Sequence, residues 1–150
     1  MKDRYIIVEL IPEATSPDKG SIVQLSAIKL NGLVLEDRFD YRLKEDNIKI
    51  KDLLKIISYD KELFKYVDTS EEIINEFKNW SEDLKLLIID NEYTKNYLKN
   101  LSNEKESILK YLNLEYSDDV IEKIIDKYKL EQTNYIVDLL YEALIYNDNN

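Results

Sequence analysis

The chain has no cysteine and no histidine, and only two glycines and two prolines. Without cysteine there is neither a disulfide nor a thiolate metal site. The missing histidine excludes more: the usual general base, the commonest zinc ligand and every imidazole-based triad. So few glycines and prolines leave little room for long flexible linkers. Long apolar runs are lacking too. Met1-Lys2-Asp3-Arg4 leads into a run too short for a signal peptide or a membrane span. The expectation is a soluble, cytoplasmic protein with no membrane partner.

What is present is a globular composition. The 150 residues are 44% hydrophobic, enough for one domain over 1–150 with a sizeable core and a polar tail at 147–150. Lys and Arg number 21 against 31 Asp and Glu, for a net charge of −10. Nucleic-acid binding is driven by cations that displace counterions from phosphate, so this balance disfavours a nucleic-acid partner.

The pattern along the chain begins with strands. Tyr5 to Ile11 is almost continuously apolar and β-branched, as in a strand buried on both faces. Pro12 to Gly20 is turn-rich. Ser21 to Leu30 and Leu33 to Arg42 are two further strands joined by the hairpin signal Asn31-Gly32. Helical period follows. Lys51 to Ile57 and Asp60 to Tyr66 look like short helical pieces, and Thr69 with Glu72 forms a capping box ahead of the stripe Ile73, Ile74, Phe77, Trp80. Leu84 to Ile89 is a short buried strand. Tyr93 to Leu101, Glu104 to Leu112, Asp118 to Tyr128 and Thr133 to Tyr146 are helical in spacing, although Ser107 to Leu112 also suits a fifth strand. This order predicts an α/β fold: an antiparallel three-strand meander plus one or two further strands in a mixed sheet flanked by helices.

Over Tyr5 to Ile145 the chain resembles the DEDD 3′–5′ exonucleases, proofreading-type nucleases with a ribonuclease H-like fold. The most family-like stretch runs from Ser16 to Leu43, with Asp37-Arg38-Phe39 in family order; Ile48 to Trp80 matches the helical link and the helix that follows. The resemblance implies two-metal chemistry, in which four acidic residues hold two divalent cations. A His, or in a sister branch a Tyr, lies just before the last acid and activates water.

The motif positions of this chain depart from that pattern. The first motif falls on Tyr5-Ile-Ile-Val-Glu-Leu-Ile11, with Glu9 at the Asp and Ile11 at the Glu. The second falls on Ile88 to Leu98, with Tyr93 at the Phe and Thr94 at the Asp. The third puts Asp138 at the last acid and Thr133 at the His. Tyr135 is three residues before Asp138 instead of four, a turn of about 100° around the helix, and does not replace the sister branch's tyrosine. A one-residue slip of the second motif brings Asp90 or Glu92 nearer the site. Glu9 and Asp138 together balance only half of the charge of two divalent ions. The expectation is therefore no catalytic residue and, at most, a weak single-metal site for Mg²⁺ or Mn²⁺ at Glu9 and Asp138, with no other cofactor.

Each position also has a plainer reading. Glu9 escapes at the strand end or pairs with a lysine, and Asp138, with Asn134 and Glu142, forms a solvated helix stripe. Thr94, Thr133 and Asn134 serve as caps or surface polar groups. Glu71, Glu72, Glu76, Glu82 and Asp83 make a solvated face. Tyr93, Tyr97, Tyr111, Tyr116 and Tyr128 line a partner-binding surface or pack with exposed hydroxyls. Taken together, the sequence predicts an inactive exonuclease-like protein that binds another macromolecule, chiefly a protein, as an inhibitor or regulator of a nucleic-acid-handling system. The alternatives are a divergent metal-dependent 3′–5′ exonuclease and a non-catalytic binder of single-stranded nucleic acid.

Overall fold

The computed structural model describes residues 3–55, 62–133 and 135–148. Three long strands, β1 (Arg4–Pro12), β2 (Ile22–Asn31) and β3 (Val34–Leu43), form an antiparallel meander. The turn between β2 and β3 uses Gly32 at φ 63°, a conformation glycine adopts without a Cβ clash. Three short strands extend the sheet, each parallel to its neighbour: β4 (Lys65–Val67) beside β3, β5 (Lys85–Ile88) beside β1, and β6 (Lys105–Ser107) beside β5. The order is β4-β3-β2-β1-β5-β6. The mixed sheet flanked by helices is the α/β arrangement expected from the sequence, with one strand more than the largest number anticipated.

Two stretches differ from the sequence reading. Lys65 and Tyr66, read as the end of a helical piece, belong instead to the edge strand β4; the start of that piece, Asp60 and Lys61, lies outside the described residues. Helical spacing over so few residues is outweighed by the free edge of β3, which offers backbone partners to Tyr41–Leu43. In the Glu104–Leu112 stretch a strand does form, but before the Ser107–Leu112 segment whose pattern suggested one, and that segment turns helical instead. Lys105–Ser107 is β6, and Ile108–Tyr111 is a single helical turn, α3, capped by the Ser107 hydroxyl. The piece at Lys51–Lys55 is a 3-10 turn; Ile56 and Ile57, read as its continuation, are not among the described residues.

Strand alternation sorts the core into two layers. Ile6, Val8, Leu10, Leu25, Ala27, Phe39, Leu86 and Ile88 face α1 (Ser70–Ser81) and α2 (Glu92–Leu98). Tyr5, Ile7, Ile28, Leu30, Leu87 and Ile89 face α3, α4 (Val120–Tyr128) and α5 (Ile136–Asp148). The helix α1 starts as its capping signal predicts, with Thr69 Oγ1 accepting the Glu72 amide at 3.3 Å. Its stripe buries Ile73 and Phe77 completely. No helix among the described residues is long and apolar enough to cross a membrane.

Candidate functional site

On the face of the sheet under α5, the apolar pattern breaks down toward the C-terminal end of β1. Ile7 pairs with Ile28, which pairs with Arg38. One pleat further, Glu9 pairs with Ser26 and Ser26 with Asp40; in the next row are Ile11, Gln24 and Arg42. The period of two that buries Ile7 and Ile28 therefore aims Glu9, Gln24, Ser26, Arg38, Asp40 and Arg42 the same way. Gln24, Ser26, Asp40 and Arg42 are all buried. The first turn of α5 lies over this polar corner, with Tyr135, Ile136 and Val137 lining a small cavity against Glu9, Ile11, Gln24 and Ser26.

Arg38 organises one side of the corner. Its Nε donates to Asp40 Oδ2 at 2.9 Å, and its Nη1 donates to Asp138 Oδ1 at 2.8 Å. Its Nη2 reaches both Asp40 Oδ1 and Asp138 Oδ2 at 3.3 Å. The guanidinium thus makes a two-point contact with each carboxylate, the geometry that gives arginine its directional strength. Burial pulls the guanidinium pKa down; its bonds to Asp40 and Asp138 outweigh that and hold it raised. The Asp40 side chain is 2% exposed and that of Asp138 38%, so this is an ion pair at the edge of the core.

Glu9 is partly exposed at its strand position. Its Oε2 is nonetheless enclosed, and among the described residues it has no hydrogen-bond partner and no lysine paired with it. Burial pushes its carboxyl up to about 8, so at neutral pH it is mostly protonated. A neutral carboxyl is the form a strand can carry inside without a counter-ion. On the other side of Glu9 a crevice is lined by Leu10, Ile11, Pro12, Leu53, Tyr93 and Ile136. Burial raises the Tyr93 hydroxyl pKa, and the nearby charge of Glu9 raises it further.

The other motif positions have local roles. Thr94, expected as a cap or surface polar group, is instead fully buried in the first turn of α2; Asn91 is the cap, its Oδ1 accepting the Thr94 amide at 2.9 Å, and among the described residues the Thr94 Oγ1 has no partner. Thr133 precedes α5 and accepts the Tyr135 amide at 3.1 Å, a bond within the turn that leads into the helix. Asp138 bonds Arg38 on β3 while its side chain stays partly exposed on the helix stripe it shares with the exposed Glu142. Asn134, the third member of that stripe, is outside the described residues. Asp90 accepts the Ser107 hydroxyl at 2.6 Å, and Glu92 is exposed at the start of α2. Among the described residues, no three acidic, histidine or cysteine side chains come together as a metal cluster would require.

Of the acidic face, Glu71, Glu72, Glu76 and Asp83 are exposed, while Glu82 also bonds Arg4 and Lys29. The tyrosines divide: Tyr97 is buried and its hydroxyl donates to Ser16 and Gly20 carbonyls, Tyr128 bonds Asn147, and Tyr116 is exposed. The sequence reading missed Ser26, Arg38, Asp40 and the rest of the corner as members of the site. The available signal was Arg38, Asp40 and Arg42, charged at every second position of a strand.

No protein-family model and no curated protein matches the chain. Its fold, however, is similar to solved structures of exonuclease I. The zinc-bound complex of the E. coli enzyme with single-stranded DNA superposes at TM-score 0.63 and 11% identity, covering 98% of this chain and 40% of that one. A product-bound exonuclease I gives TM-score 0.63 and 12% identity over 99% of this chain and 43% of that one. A complex of exonuclease I with SSB-Ct gives TM-score 0.62 and 11% identity, over 97% of this chain and 40% of that one. The chain spans about two fifths of the length of the structures it matches. The likeness shows that the fold is the ribonuclease H-like fold of exonuclease I.

Proposed function

We propose that the chain is an exonuclease-like domain without nuclease chemistry, which acts by binding another macromolecule, a protein, as an inhibitor or regulator of a nucleic-acid-handling system. One observation carries the reading. The two carboxylates expected to hold metal are both occupied from within: Glu9 has an enclosed, unpartnered oxygen among the described residues and a carboxyl that burial pushes up to about 8, and Asp138 is held by the guanidinium it shares with Asp40. Hard divalent cations need several anionic oxygens in open, near-octahedral array. These residues do not fit a two-metal centre, because one oxygen set is protonated and walled by Ile11 and Ile136 while the other is already held by an arginine. The net charge of −10 supports a protein partner over a polyphosphate.

The test is a 3′-end-labelled single-stranded DNA incubated with high concentrations of the chain in Mg²⁺ or Mn²⁺, beside a low-salt anisotropy titration of the same strand. The reading expects no nucleotide release and no binding that weakens steeply with salt. Metal-dependent release abolished by Glu9→Ala or Asp138→Ala would overturn it in favour of a nuclease. Salt-sensitive binding without release would make it a nucleic-acid binder. A tagged chain recovered without any stoichiometric partner across several growth conditions would count against the protein-binding half.

A further inference from the structure

We propose, building on the protein-binding reading, that the free edge of β6 and the lysine crevice beside it receive an extended acidic segment of a partner protein. β6 ends the sheet and pairs only with β5. The Glu104 carbonyl accepts the Leu86 amide at 2.8 Å, so Glu104 and Glu106 turn their backbone toward β5. By the same alternation Lys105 and Ser107 turn theirs outward, where no strand among the described residues lies. Such an edge is a template for one more strand.

The crevice at this end of the sheet selects the charge of that strand. Lys95 and Lys99 of α2 line it together with Lys105, Asp90, Glu106 and Ser107. Its acids are already committed: Asp90 accepts the Ser107 hydroxyl at 2.6 Å, and Glu106 holds Lys85 at 3.0 Å and Lys110 at 3.1 Å. Its lysines are less so. Lys105 gives one N–H to the Leu101 carbonyl at 2.5 Å, which fixes the ammonium and leaves two donors. Lys95 and Lys99 are exposed, and among the described residues neither forms an ion pair; Asp18 attracts Lys99 without pairing with it. Spacing adds a second constraint. Residues four apart on a helix are separated by about 6 Å along its axis, and alternate residues of a strand by about 7 Å. One face of an added strand therefore offers carboxylates at i and i+2 to Lys95 and Lys99. The net charge of −10 opposes an acidic partner at long range, but salt screens that field beyond about 8 Å and leaves the local lysines to decide. A nucleic acid meets the same lysines, yet it has no peptide groups to pair with the β6 edge, which favours a polypeptide.

The experiment is an amide chemical-shift titration of the intact chain with an acetylated, amidated heptapeptide of Val and Thr carrying Asp at its third and fifth positions. The expected result is saturable shifts clustered on Lys105, Glu106 and Ser107, with slowed solvent exchange of the Lys105 amide. Moving the second Asp to the fourth position puts the two acids on opposite faces and is expected to weaken binding about three- to tenfold. Lys95→Gln combined with Lys99→Gln is expected to lose a similar factor and to leave the melting temperature unchanged, since both side chains are exposed. No clustered shift, equal affinity for the two peptides, or unchanged affinity in the variant each overturns the proposal. Tighter binding of an oligothymidylate to the same residues overturns it in favour of a nucleic acid. Nucleotide release in the nuclease assay would instead overturn the proposed function. A silent nuclease assay with a failed peptide titration defeats this inference alone.

Discussion

Arg38 and Asp138 stand 100 positions apart in sequence and meet at 2.8 Å across the gap between β3 and α5. The neighbours of Arg38 face the other way. Asp37 accepts the Trp80 indole N–H at 2.9 Å, and Phe39 packs on Phe77 and Trp80 with ring centroids 5.4 Å away in each case. Three consecutive residues of one strand therefore tie the sheet to α1 on one side and to α5 on the other. Arg38 both joins the layers and neutralises the corner.

Replacing Arg38 by Ala should destabilise the fold by about 2–4 kcal/mol, because it leaves the buried Asp40 carboxylate uncompensated and frees Asp138. Urea unfolding monitored by Trp80 fluorescence measures this. Combining it with Asp138→Asn in a double-mutant cycle should cost less than the sum of the two single losses. Strict additivity would mean the pair carries no weight.

Glu9 makes stability depend on pH in a direction opposite to that of most carboxylates. Its pKa is about 8 in the fold against an ordinary 4.5, so between those values the folded state holds a proton that the unfolded state gives up. The contribution is complete below about pH 4.5 and is lost as pH rises through about 8. Glu9→Gln should therefore match the parent near pH 5 and exceed it at pH 9, by on the order of 2–4 kcal/mol. Denaturation midpoints across that range check it; parallel curves for the two proteins would show that Glu9 titrates normally.

Divalent metal should leave the melting temperature unchanged. With Asp138 held by Arg38 and Glu9 protonated, millimolar Mg²⁺ or Mn²⁺ has no preformed anionic site in this corner. Differential scanning fluorimetry at neutral pH is sufficient. A rise of several degrees that disappears in Glu9→Gln would establish a metal site there.

At the start of α2 the two polar groups should respond in opposite ways. Asn91→Ala removes the acceptor for the Thr94 amide and should cost about 1 kcal/mol. Thr94→Val exchanges a buried hydroxyl without a partner for a methyl of similar size and should be neutral or stabilising by up to about 1 kcal/mol. Thermal unfolding of both variants tests the contrast. A large loss in Thr94→Val would reveal a hydroxyl interaction made in solution.

Much of the fold was legible in local sequence because its signals are local. The run from Tyr5 to Ile11, the Asn31-Gly32 turn and the Thr69 cap each depend on residues a few positions apart, and each lies where its pattern predicts. The short strands were harder to read. Lys65–Val67 and Lys105–Ser107 are strands because β3 and β5 present open backbone edges to them, not because of their own three residues. The sequence by itself also determined that no histidine or cysteine chemistry is available and that Ile11 carries no ligand. Tertiary structure alone decided the state of the two acids it does carry. Burial under Ile136 and beside Ile11 raises the Glu9 carboxyl, and the strand register that brings Arg38 beneath α5 gives Asp138 its counter-ion. Both depend on which side chains become neighbours once the helix lies on the sheet, a relation between distant segments that no local spacing encodes.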